Sequence, residues 1–321
     1  MKALACVSAL FVALLFVVPQ CLGQAFPSKP VRVVIPFPPG GPTDITIRLL
    51  AQKLSERWSQ PLVPEYRPGA NTIIGTEAVV KSAADGHTLL FTVDSTVTTN
   101  PSLYAKLSYD PMRDLAPVTL VAWTPLAIVV KADTGPKNLA ELIQFARANP
   151  GKVNFSAGSI TSRLTGELFK RQLGLDVVLI PYAGARAVEG LLSGDINFLI
   201  AAASTVLPFI KSGRFRALAA TGGQPIRSMP GVPTVAEAAR LPDFDSAVWI
   251  GLFAPARTPT EIVAQLHRDI VQVIALPEVR ERLESIGVEP ATKSPAEFSA
   301  FIRKETAFWS QLIRQSGFRV E

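Results

Sequence analysis

Two consecutive glycines, Gly40 and Gly41, stand between a β-branched run that ends at Ile35 and a helix that is predicted to begin at Pro42. Glycine lets the backbone turn sharply and come close to a ligand, and proline suits the first turn of a helix. A helix N-terminus offers unpaired amide N–H donors and the positive end of the helix dipole, which together favour an anion. The segment 31–44 therefore predicts either an anion-binding turn or an ordinary strand-to-helix turn.

The residues after the glycines indicate which anion this turn would suit. A phosphate loop requires Lys and then Ser or Thr directly after the glycines, and this chain has Pro42, Thr43 and Asp44 there. A dinucleotide-binding turn requires a third glycine at fixed spacing, which residues 45–47 do not supply. A carboxylate is therefore favoured over a nucleotide.

Residue types that carry catalysis or bind metals are sparse along the chain. Its two histidines, His87 and His267, have neither metal-site spacing nor the spacing of a nucleophile and its base. The nucleophile elbow G-x-S-x-G does not occur, and Ser156 and Ser159 have no identifiable base. The sequence therefore predicts a protein that is not an enzyme, with no metal and no cofactor.

The first 25 residues have the pattern of a cleavable signal peptide, with Lys2, an apolar run and small residues at the cleavage positions. Cleavage is expected after Gly23 or after Ala25, and it would remove both cysteines, which excludes disulfides and cysteine–metal sites. The formal net charge would fall from +6 to +5, because Lys2 is the only charged residue lost. This modest excess, without a basic run, does not indicate a nucleic-acid partner.

The remaining chain, roughly 296 residues, is longer than one core usually supports, so two lobes are expected. Strand and helix periods alternate along it, which predicts parallel α/β sheets. Predicted helices include 45–58, 164–173 and 295–315, the last with a capping box formed by Ser294 and Glu297.

Ligands of such sheets bind at the carboxyl ends of the strands. Four polar loops follow predicted strands there: Pro38–Thr43, Asp94–Thr99, Ser156–Ser162 and Ala201–Thr205. Since these loops come from two halves of the chain, we expect a cleft between two lobes. Trp123 and Trp249 lie on strands that would connect the lobes, where core packing is the usual role of a large aromatic side chain.

Eight segments of the chain, in order, resemble motifs of the Bug/TctC extracytoplasmic solute receptors, the substrate-binding components of tripartite tricarboxylate transporters. They are PSKPVRVVIPFPPGGPTD (27–44), RPGA (67–70), DGHTLL (85–90), NPSLY (100–104), LTGELFK (164–170), PYAGA (181–185), GDINF (194–198) and GVPTVAEA (231–238). The resemblance implies a type II periplasmic-binding-protein fold, in which two α/β lobes are joined by two crossover strands with a ligand cleft between them. Lobe 1 would comprise residues 26–123 and 249–321, and lobe 2 residues 124–248.

The resemblance also implies where a ligand is held. One ligand carboxylate would contact backbone N–H groups and bridging waters at the first of the four loops, and the other three loops would select the rest of the ligand. The residues implied in this way are Phe37, Gly40, Gly41, Thr43, Asp94, Ser95, Thr96, Ser156, Ala157, Gly158, Ser159, Ala201, Ala202 and Thr205.

The chain departs from the family pattern at two of these loops. Many relatives carry Asp-Asn where this chain has three alanines at 201–203, so the natural partner of a ligand ammonium is missing. The loop before LTGELFK is short and carries Arg163, which would pair with a second carboxylate if it faces the cleft. We therefore expect a mono- or dicarboxylate without an amino group, with an apolar or aromatic body.

The family further implies a monomeric periplasmic receptor that delivers its ligand to a membrane permease of one large and one small subunit. Two other functions remain open from the sequence. A receptor of the same fold would present its ligand to a membrane sensor kinase instead of a permease, and an exported hydrolase would turn over a bound ester.

Overall fold

The computed structural model of the protein describes residues 26–182 and 184–318, so the predicted signal peptide, residues 1–25, lies outside the described part. None of the helices in the described ranges is long and apolar enough to cross a membrane.

The strands vary from three to ten residues and lie throughout the described chain. They are β1 (Val31–Ile35), β2 (Leu62–Tyr66), β3 (Thr88–Val93), β4 (Leu115–Thr124), β5 (Leu126–Lys131), β6 (Val153–Ala157), β7 (Val177–Leu179), β8 (Phe198–Ala202), β9 (Phe215–Ala220), β10 (Val248–Pro255) and β11 (Glu289–Lys293).

The helices alternate with these strands over most of the described chain, and a 3₁₀ turn covers Ala70–Thr72. They are α1 (Pro42–Trp58), α2 (Ile73–Val80), α3 (Asp94–Thr98), α4 (Asn100–Leu103), α5 (Pro111–Asp114), α6 (Leu139–Ala148), α7 (Ile160–Leu173), α8 (Ala185–Ser193), α9 (Ala203–Lys211), α10 (Val235–Ala239), α11 (Thr260–Ile274), α12 (Pro277–Ser285) and α13 (Pro295–Ser316).

The strands form two sheets, with the order β11-β4-β10-β3-β1-β2 in the first and β7-β6-β8-β5-β9 in the second. Strand β1 is parallel to β2 and β3, and β6 is parallel to β7 and β8. Strand β10 is antiparallel to β3 and β4, and β5 is antiparallel to β8 and β9. The prediction of parallel strands is therefore confirmed for β1 with β2 and β3 and for β6 with β7 and β8. It is wrong for the pairs formed by β4, β5 and β10, because the strands on which the chain crosses between sheets run against those built by strand–helix–strand units.

The chain passes between the two sheets twice. Only Pro125 separates the end of β4 in the first sheet from the start of β5 in the second, and β10 returns the chain to the first sheet. Trp123 on β4 lies opposite Trp249 on β10, and both rings pack edge-on against Phe301. Neither tryptophan lines the cleft described below, so both serve packing, as their strand positions predicted.

The C-terminal helix α13 packs against the cores of both sheets. Its first half contributes Phe298 and Ile302 to the core around Trp249 in the first sheet. Its second half contributes Trp309, Leu312 and Ile313 to the core around the second sheet. The predicted capping box is confirmed, since Ser294 and Glu297 each bond the other's backbone amide. The predicted lobe boundaries place residues 249–321, and with them α13, in lobe 1 alone. They did not predict that this helix packs against both cores.

Candidate ligand-binding cleft

The four predicted loops meet at one cleft of about 720 Å³ between the two sheets. Strands β1 and β3 are parallel neighbours in the first sheet, and β6 and β8 are parallel neighbours in the second. Their carboxyl ends therefore lie at matching edges of the two sheets. Ten of the predicted site residues line the cleft: Phe37, Thr43, Asp94, Ser95, Gly158, Ser159, Arg163, Ala201, Ala202 and Thr205.

The other five predicted site residues lie outside the cleft lining. Gly40 and Gly41 belong to the first loop, but Gly40 is exposed and neither glycine lines the cleft. Thr96, Ser156 and Ala157 are buried behind the wall. The Thr96 hydroxyl bonds Thr72 Oγ1 at 2.9 Å, and the Ser156 hydroxyl donates to the Ile180 carbonyl at 2.8 Å. These hydroxyl groups therefore hold the wall together rather than face a ligand.

The N-terminus of α1 already holds a carboxylate of the protein itself. Asp44 accepts hydrogen bonds from the Gly40 amide at 2.8 Å, from Arg48 Nε at 2.6 Å and from the Tyr66 hydroxyl. Burial acts to raise the pKa of Asp44, but the bonds from Tyr66, Arg48 and Gly40 outweigh it, so the pKa is lowered and the group is a carboxylate. The Gly40 amide is therefore not free for a ligand, which corrects the expectation of an open anion site there.

The two glycines differ in their need to be glycine. Gly40 has φ +99°, which favours glycine, whereas Gly41 has φ −84° with ψ 175°, an extended conformation open to any residue. The first backbone bond of α1 runs from the Ile45 amide to the Gly41 carbonyl. The amide of Thr43, a residue that lines the cleft, therefore has no acceptor within the helix, and it remains a donor at this wall.

The third loop is shorter than predicted, because α7 begins at Ile160 instead of residue 164. Ser159 is its N-cap: its hydroxyl accepts from the Ser162 amide at 3.2 Å, while the Ser162 hydroxyl accepts from the Ser159 amide at 3.0 Å. This capping box uses the hydroxyl of each serine as an acceptor for the other's amide, which explains the two serines without a catalytic role. The cleft-lining residues Thr161, Ser162 and Arg163 thus belong to a rigid first helical turn.

Arg163 projects a cation into the cleft wall. Its Nε donates to the Ala157 carbonyl at 3.2 Å, which fixes the plane of the guanidinium. Within residues 26–182 and 184–318, no carboxylate lies within ion-pair distance of it and its two Nη groups have no hydrogen-bond acceptor. An arginine held by one nitrogen, with the other two free, suits bidentate recognition of a carboxylate.

A left-handed turn next to the cleft was not predicted. Gly69, Ala70, Asn71 and Thr72 have φ of +133°, +45°, +48° and +78°, and Gly69, Asn71 and Thr72 line the cleft with Pro68. Positive φ is an outlier for a β-branched residue such as Thr72, and such strain concentrates at functional sites. The Asn100 amide holds the turn by donating to the Asn71 carbonyl at 2.9 Å. The Pro-Gly pair indicated a turn, but nothing local marked it as a wall of the site.

Asp94 lies at the start of α3, where the two sheets meet across the cleft. Its side chain is fully buried, and Oδ2 accepts from the Thr161 hydroxyl on α7 at 2.7 Å. The other oxygen, Oδ1, is buried and has no hydrogen-bond partner among the described residues. Burial raises the pKa of Asp94 to about 7, and the charge of Glu305 on α13 adds to this effect. Asp94 therefore exchanges its proton near neutral pH.

The rest of the cleft wall is mainly apolar. Leu126, Val188, Leu199 and Val248 line it together with Ile160 and several prolines. Asp94 and Arg163 are the only ionisable side chains in the lining, as far as the described residues go. No group of three or more metal-binding side chains occurs within the described ranges. The arrangement therefore suits an anion with an apolar body.

The sequence is similar to known families over most of its length. A profile of the family described as "Tripartite tricarboxylate transporter family receptor" matches residues 46–318. The chain is 38% identical over 294 residues to a Pseudomonas sp. (strain P51) protein from the tcbD-tcbE intergenic region, covering 90% of this chain and 87% of that protein. It is 34% identical to Protein BugT of Bordetella pertussis, covering 100% of this chain and 99% of BugT.

Solved structures extend the similarity to the fold. The chain superposes on Rpa4515 of R. palustris with adipate with a TM-score of 0.82 at 31% identity, covering 91% of this chain and 98% of that one. It superposes on MatC of Rhodopseudomonas palustris with bound malate with a TM-score of 0.76 at 29% identity, covering 90% and 100% of the two chains. The predicted fold class, a two-lobed α/β periplasmic-binding-protein fold, is thereby confirmed.

Proposed function

Because the chain belongs to the tripartite tricarboxylate transporter family of receptors, we propose that it is a periplasmic protein that captures a small organic carboxylate in the cleft. The protein then delivers this ligand to a membrane permease of one large and one small subunit. Proteins of this family are solute-binding proteins rather than enzymes. The observation that carries the proposal is the guanidinium of Arg163, whose two Nη groups have no acceptor among the described residues, in a cleft whose other described ionisable residue is the buried Asp94.

The charge of the cleft favours an anionic ligand. Arg163 has two free Nη groups, and the first turns of α1 and α7 direct unpaired amides toward the same space. The single acidic residue in the lining, Asp94, is buried and bonded to Thr161. An ammonium ligand would have no exposed carboxylate to pair with, so amino acids are disfavoured.

The size and lining of the cleft favour a ligand with an apolar body. Its volume, about 720 Å³, lies well within the range of roughly 300–1,000 Å³ that is usual for small-molecule sites. Phe37, Ile160 and Leu199 offer apolar contacts from both sheets. The adipate and malate of the two similar structures support a carboxylate, and we propose one whose apolar portion spans the distance between the Thr43 wall and Arg163.

The binding free energy that such a ligand requires is modest. A micromolar ligand needs about 8 kcal/mol of binding free energy, and each charge-assisted hydrogen bond contributes roughly 1.5–3 kcal/mol. Two bonds from Arg163 and two from backbone amides, with the apolar contacts, meet this requirement without covalent chemistry.

The ligand class is tested by a thermal-shift screen followed by calorimetry, with adipate, malate, benzoate, aspartate and glutamate as probes. A ligand that binds the native state alone raises Tm. We expect a carboxylate without an amino group to bind. Tight binding of aspartate or glutamate, with no binding of unaminated acids, would overturn the ligand class.

Arg163→Gln provides the residue-level test. We expect it to weaken dicarboxylate binding about 10- to 100-fold, since it removes one charged pair of hydrogen bonds. Arg171→Gln, which lies on the exposed side of the same helix, is the matched control and should bind like wild type. Equal affinities for both variants would remove Arg163 from the site.

Location and delivery are tested in cells. We expect the mature N-terminus to be Gln24 or Phe26, as found by N-terminal sequencing of the protein from a periplasmic extract. Deleting the gene should abolish uptake of the carboxylate that binds. Unchanged uptake, with loss of a transcriptional response to that carboxylate, would instead support a sensor.

A further inference from the structure

The contact between the two halves of the cleft contains an acid with no basic partner. Asp94 on α3 accepts a 2.7 Å hydrogen bond from Thr161 on α7, so the bond joins an element of the first sheet to one of the second. The side chain is fully buried in this contact, and Oδ1 has no partner of acceptable geometry. Ionised carboxylates are rarely buried without a cation, because burial removes their hydration.

The described neighbours of Asp94 offer it no cation, and the hydrogen bonds from the Thr161 hydroxyl and from the backbone amides of Ser95 and Asp94 lower its pKa by less than burial raises it. Strands β3 and β10 and helix α4 pack against α3, and none of them carries an ionisable residue. Helix α13 brings the half-buried carboxyl of Glu305 toward Asp94, and Lys304 and Asp245 act on Glu305 in turn. Helix α7 carries Arg163 in the same cleft, but Arg163 forms no ion pair with Asp94 among the described residues.

Helix α7 has further charged residues, which lie beyond its first turn: Glu167, Lys170 and Arg171. Glu167 and Lys170 lie 3.7 Å apart as an ion pair of their own. The contact between the halves of the cleft is therefore compatible with a neutral Asp94 and unfavourable to an ionised one. In agreement with this, burial raises the pKa of Asp94 to about 7, with a further contribution from Glu305.

We propose that closure of the cleft takes up one proton at Asp94, so that ligand capture by this protein is coupled to protonation. In an open form, with α3 separated from α7, water would reach the carboxyl and it would ionise as an ordinary aspartate. In the closed form the carboxyl keeps its bond from Thr161 at Oδ2 and carries the proton on Oδ1, so that no uncompensated charge is buried. The inference rests on the proposed function, since it concerns the cleft that receives the carboxylate.

The pKa values of Asp94 in the open and closed forms determine how steeply ligand affinity depends on pH. Between the pKa of a hydrated aspartate, about 4, and that of the closed form, about 7, closure binds close to one proton, so ligand affinity falls about tenfold per pH unit. Above pH 7 neither form is protonated and the affinity levels off. We therefore expect the Kd to rise about thirtyfold between pH 5.5 and pH 8.

Calorimetry with adipate or the tightest-binding carboxylate of the screen measures this directly. At pH 6, titrations in buffers of different ionisation enthalpy should report close to one proton taken up per ligand. Asp94→Asn keeps an acceptor for Thr161 and cannot titrate, so it should show no uptake and a flat Kd over this range. Glu305→Gln is the control for the neighbouring acid and should retain most of the uptake. No proton uptake by the wild type, or uptake that survives Asp94→Asn and vanishes in Glu305→Gln, would overturn the proposal.

A ligand-free measurement separates this inference from the proposed function. The radius of gyration from small-angle scattering should increase from pH 5.5 to pH 8 in the wild type, as the open form gains population, and should stay constant in Asp94→Asn. A radius that is equally constant in both proteins, together with carboxylate binding that takes up no proton, would refute the coupling. A pH-dependent radius in the wild type alone, together with failure of every carboxylate to bind, would refute the ligand class and support the coupling.

Discussion

With a saturating carboxylate ligand present to keep the cleft closed, the Asp94→Asn protein should be more stable than the wild type, by an amount that depends on pH. In the folded state the pKa of Asp94 is raised from its ordinary value of 3.8 to about 7, because the carboxyl is fully buried. In the unfolded chain the same group titrates near 4. Between these values the folded state holds a proton that the unfolded state releases, so stability is highest below pH 4 and falls as the pH rises to about 7.

The magnitude follows from the two pKa values. Each pKa unit corresponds to about 1.4 kcal/mol, so the raised pKa costs the folded wild type up to about 4 kcal/mol above pH 7. The Asn amide has nearly the same shape, accepts the bond from Thr161 and carries no charge at any pH. We therefore expect the variant to gain stability over the wild type steadily between pH 4.5 and pH 7, and to keep that gain at pH 8.

Urea denaturation of both proteins at half-unit steps from pH 4.5 to pH 8.5 measures the difference in the free energy of unfolding. The control is Asp114→Asn, because the pKa of Asp114 is shifted in the opposite direction to that of Asp94. The pKa of Asp114 is lowered to about 2 by the hydrogen bond from Arg113, so its contribution is lost only at more acidic pH, and that variant should differ from wild type by a constant amount over this range. A constant difference for Asp94→Asn as well would refute the reasoning about its burial.

Three further substitutions test the packing and the first loop. Gly166→Ala should lower the free energy of unfolding by about 1–3 kcal/mol, because an added Cβ would lie 2.2 Å from the buried ring of Phe155. The control is Gly222→Ala, whose added Cβ would have its nearest contact 3.6 Å away and which should be close to neutral in the same urea titration. Asp269→Asn should cost about 1–3 kcal/mol, since that buried carboxylate accepts bonds of 2.7 and 2.8 Å from two residues of α1, and an unchanged midpoint would contradict this. Gly40→Ala should cost about 1 kcal/mol because of its positive φ, whereas Gly41→Ala should be close to neutral, and neither should change carboxylate binding in calorimetry because neither glycine lines the cleft.

The position of the cleft could be predicted from the sequence because it depends on local patterns. Apolar runs such as β1 and β6 mark buried strands, and the polar loops that follow parallel strands must meet at one edge. Residues of all four loops line the cleft. The individual site residues, ten of which line it, were predicted from the family resemblance, together with Arg163 as a departure from it. The same local signals placed the capping box of α13 at Ser294.

Features that depend on distant residues could not be predicted. The left-handed turn at 69–72 is held by Asn100, which is 29 residues from Asn71. The burial of Asp94 requires α7 and α13, which are remote in sequence. The antiparallel direction of β10 depends on where the chain crosses between sheets, and a continuous apolar strand looks the same in either direction.

The position of α13 has a consequence for the order in which the molecule can be completed. The first sheet needs β10, β11 and Phe298 to close its core, and the second needs Trp309 on the same helix as Phe298. During synthesis from the N-terminus, neither core can therefore be completed before α13 has been made. The helix that ties the two halves of the cleft together thus also couples the completion of one core to that of the other.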